Sequence, residues 1–275
     1  MEKIKLLASD LDGTLFDSLG RLSEENLRAI DELARLGVHF VPTTGRTLGE
    51  ISPLLTENPS IRYYIYSNGA TVYDKKTGER IYNCLSRETL ERVFEIIGDA
   101  EVHYTIRYDG VTYCDARYNN PEAYAYYNMW VAHYEILRDI AVEREDFDEW
   151  LSGLDKVEVV SLFFKDEREL EHCRARLTAE LSEVRVASAA PYNLEIFSSG
   201  AGKGTALLAL SDMLGIDIKN VAAVGDSGND LTALMTAGTG FAVANATDEL
   251  KAAASRVICS ADEHAIDCIL KNFIK

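Results

Sequence analysis

The chain has 275 residues, between one and two domains at the usual ~150 residues per domain, and its 47% apolar content is that of a globular protein. Its 28 Lys and Arg against 45 Asp and Glu leave a net charge of −17, which excludes a surface that grips nucleic acid or anionic membrane through clustered cations. Any anionic ligand must therefore be received by a local device, and no apolar run approaches the ~18 residues that span a bilayer.

The first residues carry no apolar signal-peptide core, and a cytoplasmic chain is expected. Ile4 through Ser9 is a short apolar run ending at Asp10, the pattern of a strand buried in a parallel sheet. A helix follows, with Ser23 as N-cap, Leu22 and Leu27 placed as a hydrophobic staple, and Gly37 as its stop. A second strand is predicted over 38–41, a helix over 47–55 and a third strand over 63–66. Residues 71–74 and 79–82 flank Lys75-Lys76-Thr77-Gly78, a hairpin signal.

From Cys84 the rhythm changes. Helices are predicted over 88–97 and 167–181, with strands over 102–107, 111–114, 157–164 and 184–187, and the segment reads as a separate α+β module. After Leu194 strands and helices alternate again: helix 205–214, strand 221–224, helix 231–237, strand 241–244, helix 248–254. The expected architecture is α/β: a doubly wound parallel-sheet core from 1–83 and 190–275, interrupted by an inserted α+β domain over 84–189.

In such a sheet the ligand sits beyond the carboxyl ends of the strands. Asp10-Leu11-Asp12-Gly13-Thr14 stands after the first strand, Thr43-Thr44-Gly45-Arg46 after the second, and Gly225-Asp226-Ser227-Gly228-Asn229-Asp230 after the strand at 221–224. Four carboxylates thus converge on one sheet edge, and like charges so placed call for a counter-ion. Oxygen donors without His or Cys point to Mg2+. Gly202-Lys203-Gly204-Thr205 opens a helix, placing an ammonium and free N–H groups at its positive end. It is not a nucleotide P-loop, because Phe197 stands at the first glycine position and Gly204 follows the lysine where Ser or Thr belongs.

These four segments, in this order, resemble the motifs of the haloacid dehalogenase superfamily. Asn68-Gly69-Ala70, Asn245-Ala246 and the insertion between the second and third motifs are similar to its Cof-like branch of metabolite phosphatases. The resemblance covers 1–83 and 190–260. It implies a Rossmann-like core with an inserted cap that closes over the site and selects substrate. It also implies Asp10 as nucleophile and Asp12 as acid and base. Mg2+ would be held by Asp10, the Asp12 backbone carbonyl and Asp226. Leu11, Thr44, Gly45, Lys203 and Asn229 would bind phosphate or substrate, and Asp230 would orient the groups around the metal.

The expected activity is a Mg2+-dependent phosphatase acting through an aspartyl phosphate on a small phosphorylated metabolite, a sugar phosphate above all. The protein is expected to work as a monomer or homodimer without nucleic acid or membrane. The alternatives are a phosphomutase resembling the phosphomannomutases and a non-catalytic sugar-phosphate-binding regulator.

Residues 84–189 hold 23 acidic and 12 basic residues, so most of the acidity belongs to the insertion. Eight of the fourteen tyrosines fall between 104 and 134, beside Trp130, and can line a ring pocket, form an interface or pack a small sheet. Arg107 is a candidate for the leaving group. The five cysteines, Cys84, Cys114, Cys173, Cys259 and Cys268, have no CxxC or Cys/His ligand spacing and read as small core or surface residues.

Overall fold

Leu6, Leu7 and Ala8 are almost wholly buried, and a strand apolar on both sides must be covered on both faces, so it lies inside a parallel sheet. A computed structural model describes residues 3–129, 131–188 and 190–274, with backbone alone at 131–134 and 136. In chain order its strands are β1 (Leu6–Ser9), β2 (His39–Pro42), β3 (Tyr63–Tyr66), β4 (Thr71–Asp74), β5 (Arg80–Tyr82), β6 (Val102–Tyr108) and β7 (Val111–Asp115). Then come β8 (Val142–Arg144), β9 (Val159–Phe164), β10 (Val184–Ala187), β11 (Asn193–Ser198), β12 (Val221–Gly225), β13 (Thr239–Ala242) and β14 (Arg256–Val257). The chain divides into two compact units, one of Met1–Arg46, Ile51–Ile81 and Gly202–Lys275, the other of Thr47–Glu50 and Tyr82–Ala201.

The first unit is built on a parallel sheet in the order β14-β13-β12-β1-β2. From β1 the chain winds one way to β2, and from β12 the other way through β13 to β14. The winding therefore reverses between β1 and β12, whose register pairs Ser9 with Val224. The crevice outside a reversal of this kind is where open α/β sheets bind ligands. The helix Glu24–Arg35 is N-capped by Ser23, as predicted, and buries Ala29, Ile30 and Leu33. Asn26, wholly buried on the same helix, donates to the Leu15 carbonyl at 3.0 Å and accepts from the Ile266 amide at 3.1 Å, tying the loop after β1 to the C-terminal helix.

The predicted strand at 63–66 forms, but β3 pairs antiparallel with β4 in a separate three-stranded sheet and is joined to the residue after β2 by a parallel bridge between Ile65 and Thr43. The helix predicted over 47–55 is instead a single turn at Leu48–Glu50 and a short helix at Pro53–Thr56 capped by Ser52. Pro53 explains the break, since it offers no N–H and disfavours helical backbone in the residue before it.

The second unit carries a six-stranded sheet in the order β10-β11-β9-β6-β7-β8. β11, assigned from sequence to the α/β core, pairs here with β9 and β10, because Leu194 and Ile196 alternate onto this sheet's apolar face. That face, with Ile106, Val160, Leu162 and Phe164, packs against Leu90 and Val93 of the helix Arg87–Ile97 and Leu170 and Leu177 of the helix Glu167–Glu180. Each such buried side chain contributes about 1.5–3 kcal/mol. On the other face Thr105, Ser161 and Glu195 lie side by side in register and Arg107 reaches Glu195 at 3.3 Å, while His103 and Phe163 of the same face are covered by Tyr124 and Tyr127.

Several of the tyrosines pack. Tyr104 and Tyr113 join Phe147 and Trp150, while Tyr118, Tyr124, Tyr127 and Phe163 box the ring of His103 at 5.7–6.1 Å. Trp130 lies outside the described residues.

His103 is 2% exposed and its Nε2 has no hydrogen-bond partner among the described residues. Burial pushes its imidazole down to about 4, with the Asp115 carboxylate pulling the other way. A lowered pKa means that the neutral form is the folded form, so its stabilisation is intact above the ordinary 6.5 and is lost as pH falls toward 4. The unfolding free energy from urea titrations should therefore drop across that window by up to about 3 kcal/mol. His103→Phe should remove this component, and the same acid slope in both proteins would contradict it.

Candidate active site

Asp10 caps the carboxyl end of β1 and Asp226 follows β12, so the two strands on either side of the winding reversal deliver one carboxylate each. After Asp10 the chain turns sharply through Leu11–Leu15, with Gly13 at φ +77°. A Cβ on Gly13 would lie 2.8 Å from Asp226 Oδ2, so glycine is needed there both for the backbone and for the carboxylate's room.

Lys203 begins the helix Lys203–Leu214 and is 1% exposed. Its Nζ donates to Asp10 Oδ1 and to Asp230 Oδ1, each at 2.6 Å. Asp230 Oδ2 in turn accepts from the backbone amides of Asp226 and Ser227 at 3.0 and 3.1 Å. Asp230 comes this close only because Gly225 lacks a Cβ, which would sit 2.3 Å from the Asp230 carboxyl carbon.

Oxygens of Asp10, Asp226 and Asp230 lie within 4.8 Å of one another. Burial raises the pKa of Asp10, against the pull of Lys203, and burial with the Asp230 charge raises that of Asp226. For Lys203, burial alone would lower the pKa, but Asp10 and Asp230 outweigh it and hold the ammonium charged. Three carboxylates against one ammonium leave an excess of negative charge that a cation would relieve. The donors are all hard oxygens, which suits Mg2+. Both Asp230 oxygens are engaged by Lys203 and the two amides, so Asp10 and Asp226 are the side chains with donors to offer.

Asp12 is exposed, and both its oxygens accept from Arg46, Nε at 2.8 Å and Nη2 at 2.6 Å, a fork that fixes the carboxylate's plane. Arg46, the last residue of the segment after β2, also lays its guanidinium 5.4 Å from the Phe16 ring centre. Thr44 is buried, and its Oγ1 accepts from the Arg46 amide at 3.1 Å. The Leu11 side chain is fully buried, so what it can offer a ligand is backbone.

Two residues given no role from sequence enter the arrangement. Asn68, at φ +54°, accepts from Asn229 Nδ2 at 3.2 Å and lies against Gly45. Asn245 donates to the Gly13 carbonyl at 2.8 Å and accepts from the Ala261 amide at 2.9 Å, bracing the turn after Asp10. The signal for Asn68 was local, an Asn-Gly pair at the end of a strand.

A family described as haloacid dehalogenase-like hydrolase matches residues 7–270 of the chain. The chain is 29% identical to phosphatase YwpJ of Bacillus subtilis strain 168, over 98% of its own length and 100% of that protein. It is 27% identical to the 5-amino-6-(5-phospho-D-ribitylamino)uracil phosphatase YcsE of the same organism, over 98% and 96%. Its fold is similar to the crystal structure of a haloacid dehalogenase-like hydrolase from Bacteroides thetaiotaomicron, with a TM-score of 0.81 and 25% identity over 98% and 99% of the two chains.

Removing Lys203 would leave two buried carboxylates without their common partner. Lys203→Met is expected to cost about 3–5 kcal/mol in urea unfolding, and a loss under about 1 kcal/mol would show that the ammonium does not carry this balance.

Proposed function

The chain belongs to the haloacid dehalogenase-like hydrolase family and is a phosphoric monoester hydrolase; from that premise we propose that it hydrolyses a small phosphorylated metabolite through an aspartyl phosphate on Asp10, with Mg2+. The observation that carries this reading is the pairing of the Asp10 carboxylate with the Lys203 ammonium at 2.6 Å, beside Asp226, at the reversal of the sheet.

Asp10 attacks phosphorus, and the P–O bond to the leaving alcohol breaks. The alcohol takes its proton from Asp12, which has to leave the Arg46 fork and take up that proton first, because a carboxylate accepting on both oxygens has none to give. Asp12 then accepts a proton from water, whose oxygen attacks the phosphorus of the aspartyl phosphate and frees inorganic phosphate. Backbone amides of the turn after β1, Thr44 with the Gly45 amide, and Lys203 receive the phosphate oxygens, while Asn229, steadied by Asn68, reaches the substrate. Asp10, Asp226 and the Asp12 backbone carbonyl would hold Mg2+, which when bound would offset the repulsion between carboxylate and phosphate. Asp230 acts through its neighbours, fixing the Asp226 amide and the Lys203 ammonium.

In this reading the second unit selects the leaving group. The B. subtilis relative YcsE is named for a phosphoribitylamino-uracil substrate, a small metabolite with one phosphate on a polyol.

Phosphate release from an aryl phosphate should require Mg2+, stop on chelation and return on its addition. Asp10→Asn should abolish it, by more than ~1000-fold; turnover retained in Asp10→Asn would overturn the mechanism.

A further inference from the structure

We propose that Asn68 is a further phosphate-binding residue, its side-chain Nδ2 donating to a phosphate oxygen beside Gly45 and Asn229. This donor rests on the hydrolase reading above and adds to it a direct contact by a residue outside the four motifs.

Ser67, Asn68 and Gly69 are three successive residues in the left-handed region, at φ +49°, +54° and +88°. That region is unfavourable for residues with a Cβ, so such a run persists only where its surroundings hold it. Backbone hydrogen bonds do the holding: the Ser67 amide donates to the Arg46 carbonyl at 2.8 Å, the Asn68 amide to the Thr44 carbonyl at 3.0 Å, and the Ala70 amide to the Ser67 carbonyl at 3.1 Å. The turn is thereby fastened on both sides of Gly45. Its far end is fixed by close approach, since a Cβ on Gly69 would lie 2.3 Å from the carbonyl oxygen of Gly202, the residue before Lys203.

The half-buried side chain is placed as firmly. A Cβ on Gly45 would lie 3.1 Å from Asn68 Oδ1 and 3.2 Å from its Nδ2, so the carboxamide lies against Gly45. Asn68 Oδ1 accepts from Asn229 Nδ2 at 3.2 Å, and Asn229 Oδ1 accepts from Ser227 Oγ at 2.9 Å, which fixes the donor end of each amide. Asn68 Nδ2 then carries two hydrogens with no acceptor among the described residues. An amide donor so left over, flanked by two residues that receive phosphate in the hydrolase reading, fits an anionic oxygen.

Calorimetric titration of the Mg2+-loaded full chain with inorganic phosphate, beside KM and kcat for an aryl phosphate, tests this. Asn68→Gly keeps the left-handed backbone and deletes the donor. Phosphate Kd and KM should both rise about tenfold, with kcat changed by less than about twofold, because the contact is made in ground and transition states alike. Asn68→Asp keeps the backbone and the acceptor for Asn229 but puts a negative oxygen where the donor stood, so Kd should rise by ~100-fold or more. Asn68→Gly combined with Asn229→Ala should bind phosphate about tenfold more weakly than Asn229→Ala alone. No loss beyond Asn229→Ala alone makes Asn68 only a prop for Asn229 and overturns the direct contact. A Kd in Asn68→Asp within about twofold of wild type overturns it as well, and this variant decides should Asn68→Gly fail to fold. A wild-type chain that neither binds nor releases phosphate defeats the hydrolase reading and the Asn68 contact together, whereas one that does both while the variants match it defeats the contact alone.

Discussion

An ammonium with no exposure to water must be balanced where it stands, and Lys203 is balanced by two carboxylates at 2.6 Å. Much of the first unit is arranged around that requirement. Asp10 reaches the lysine from the end of β1, and Asp230 reaches it because Gly225 leaves the room. Asp230 also holds the Asp226 amide, so the same contact that neutralises the lysine positions the next carboxylate. An acidic chain thereby keeps a buried cation among the carboxylates at the sheet's winding reversal.

The sheet order makes the convergence possible. β1 and β12 are neighbours in space though more than two hundred residues apart in sequence, and the winding reverses between them. Turns that leave two adjacent strand ends in opposite winding directions open a crevice, and the carboxylates stand at its edge. The second unit obeys a different rule: its sheet buries one face in apolar side chains, while the other combines the Arg107–Glu195 ion pair with the aromatic box around His103.

Much of this was legible in the amino-acid sequence because the informative signals were local. The apolar run ending at Asp10, the Ser23 cap and the short spacings within each motif need no knowledge of distant contacts. What stayed hidden depends on tertiary approach. No pattern marks Arg46 as the partner of Asp12, 34 residues away, or Asn68 as the partner of Asn229, 161 residues away. β11 has the alternation of any half-buried strand, and only pairing tells which sheet it joins. The helix expected over 47–55 failed on a local fact that was overlooked, the proline at 53.

The claim that most needs testing is that the carboxylate held by Lys203 takes the phosphoryl group. Rapid mixing of the Mg2+-loaded chain with an aryl phosphate, quenched in acid and mapped by mass spectrometry, reads this directly. The account predicts a transient phosphoryl adduct on the peptide containing Asp10, formed with the first turnover and absent when Mg2+ is withheld. Steady turnover with no adduct at any time, or an adduct on another residue, would contradict it.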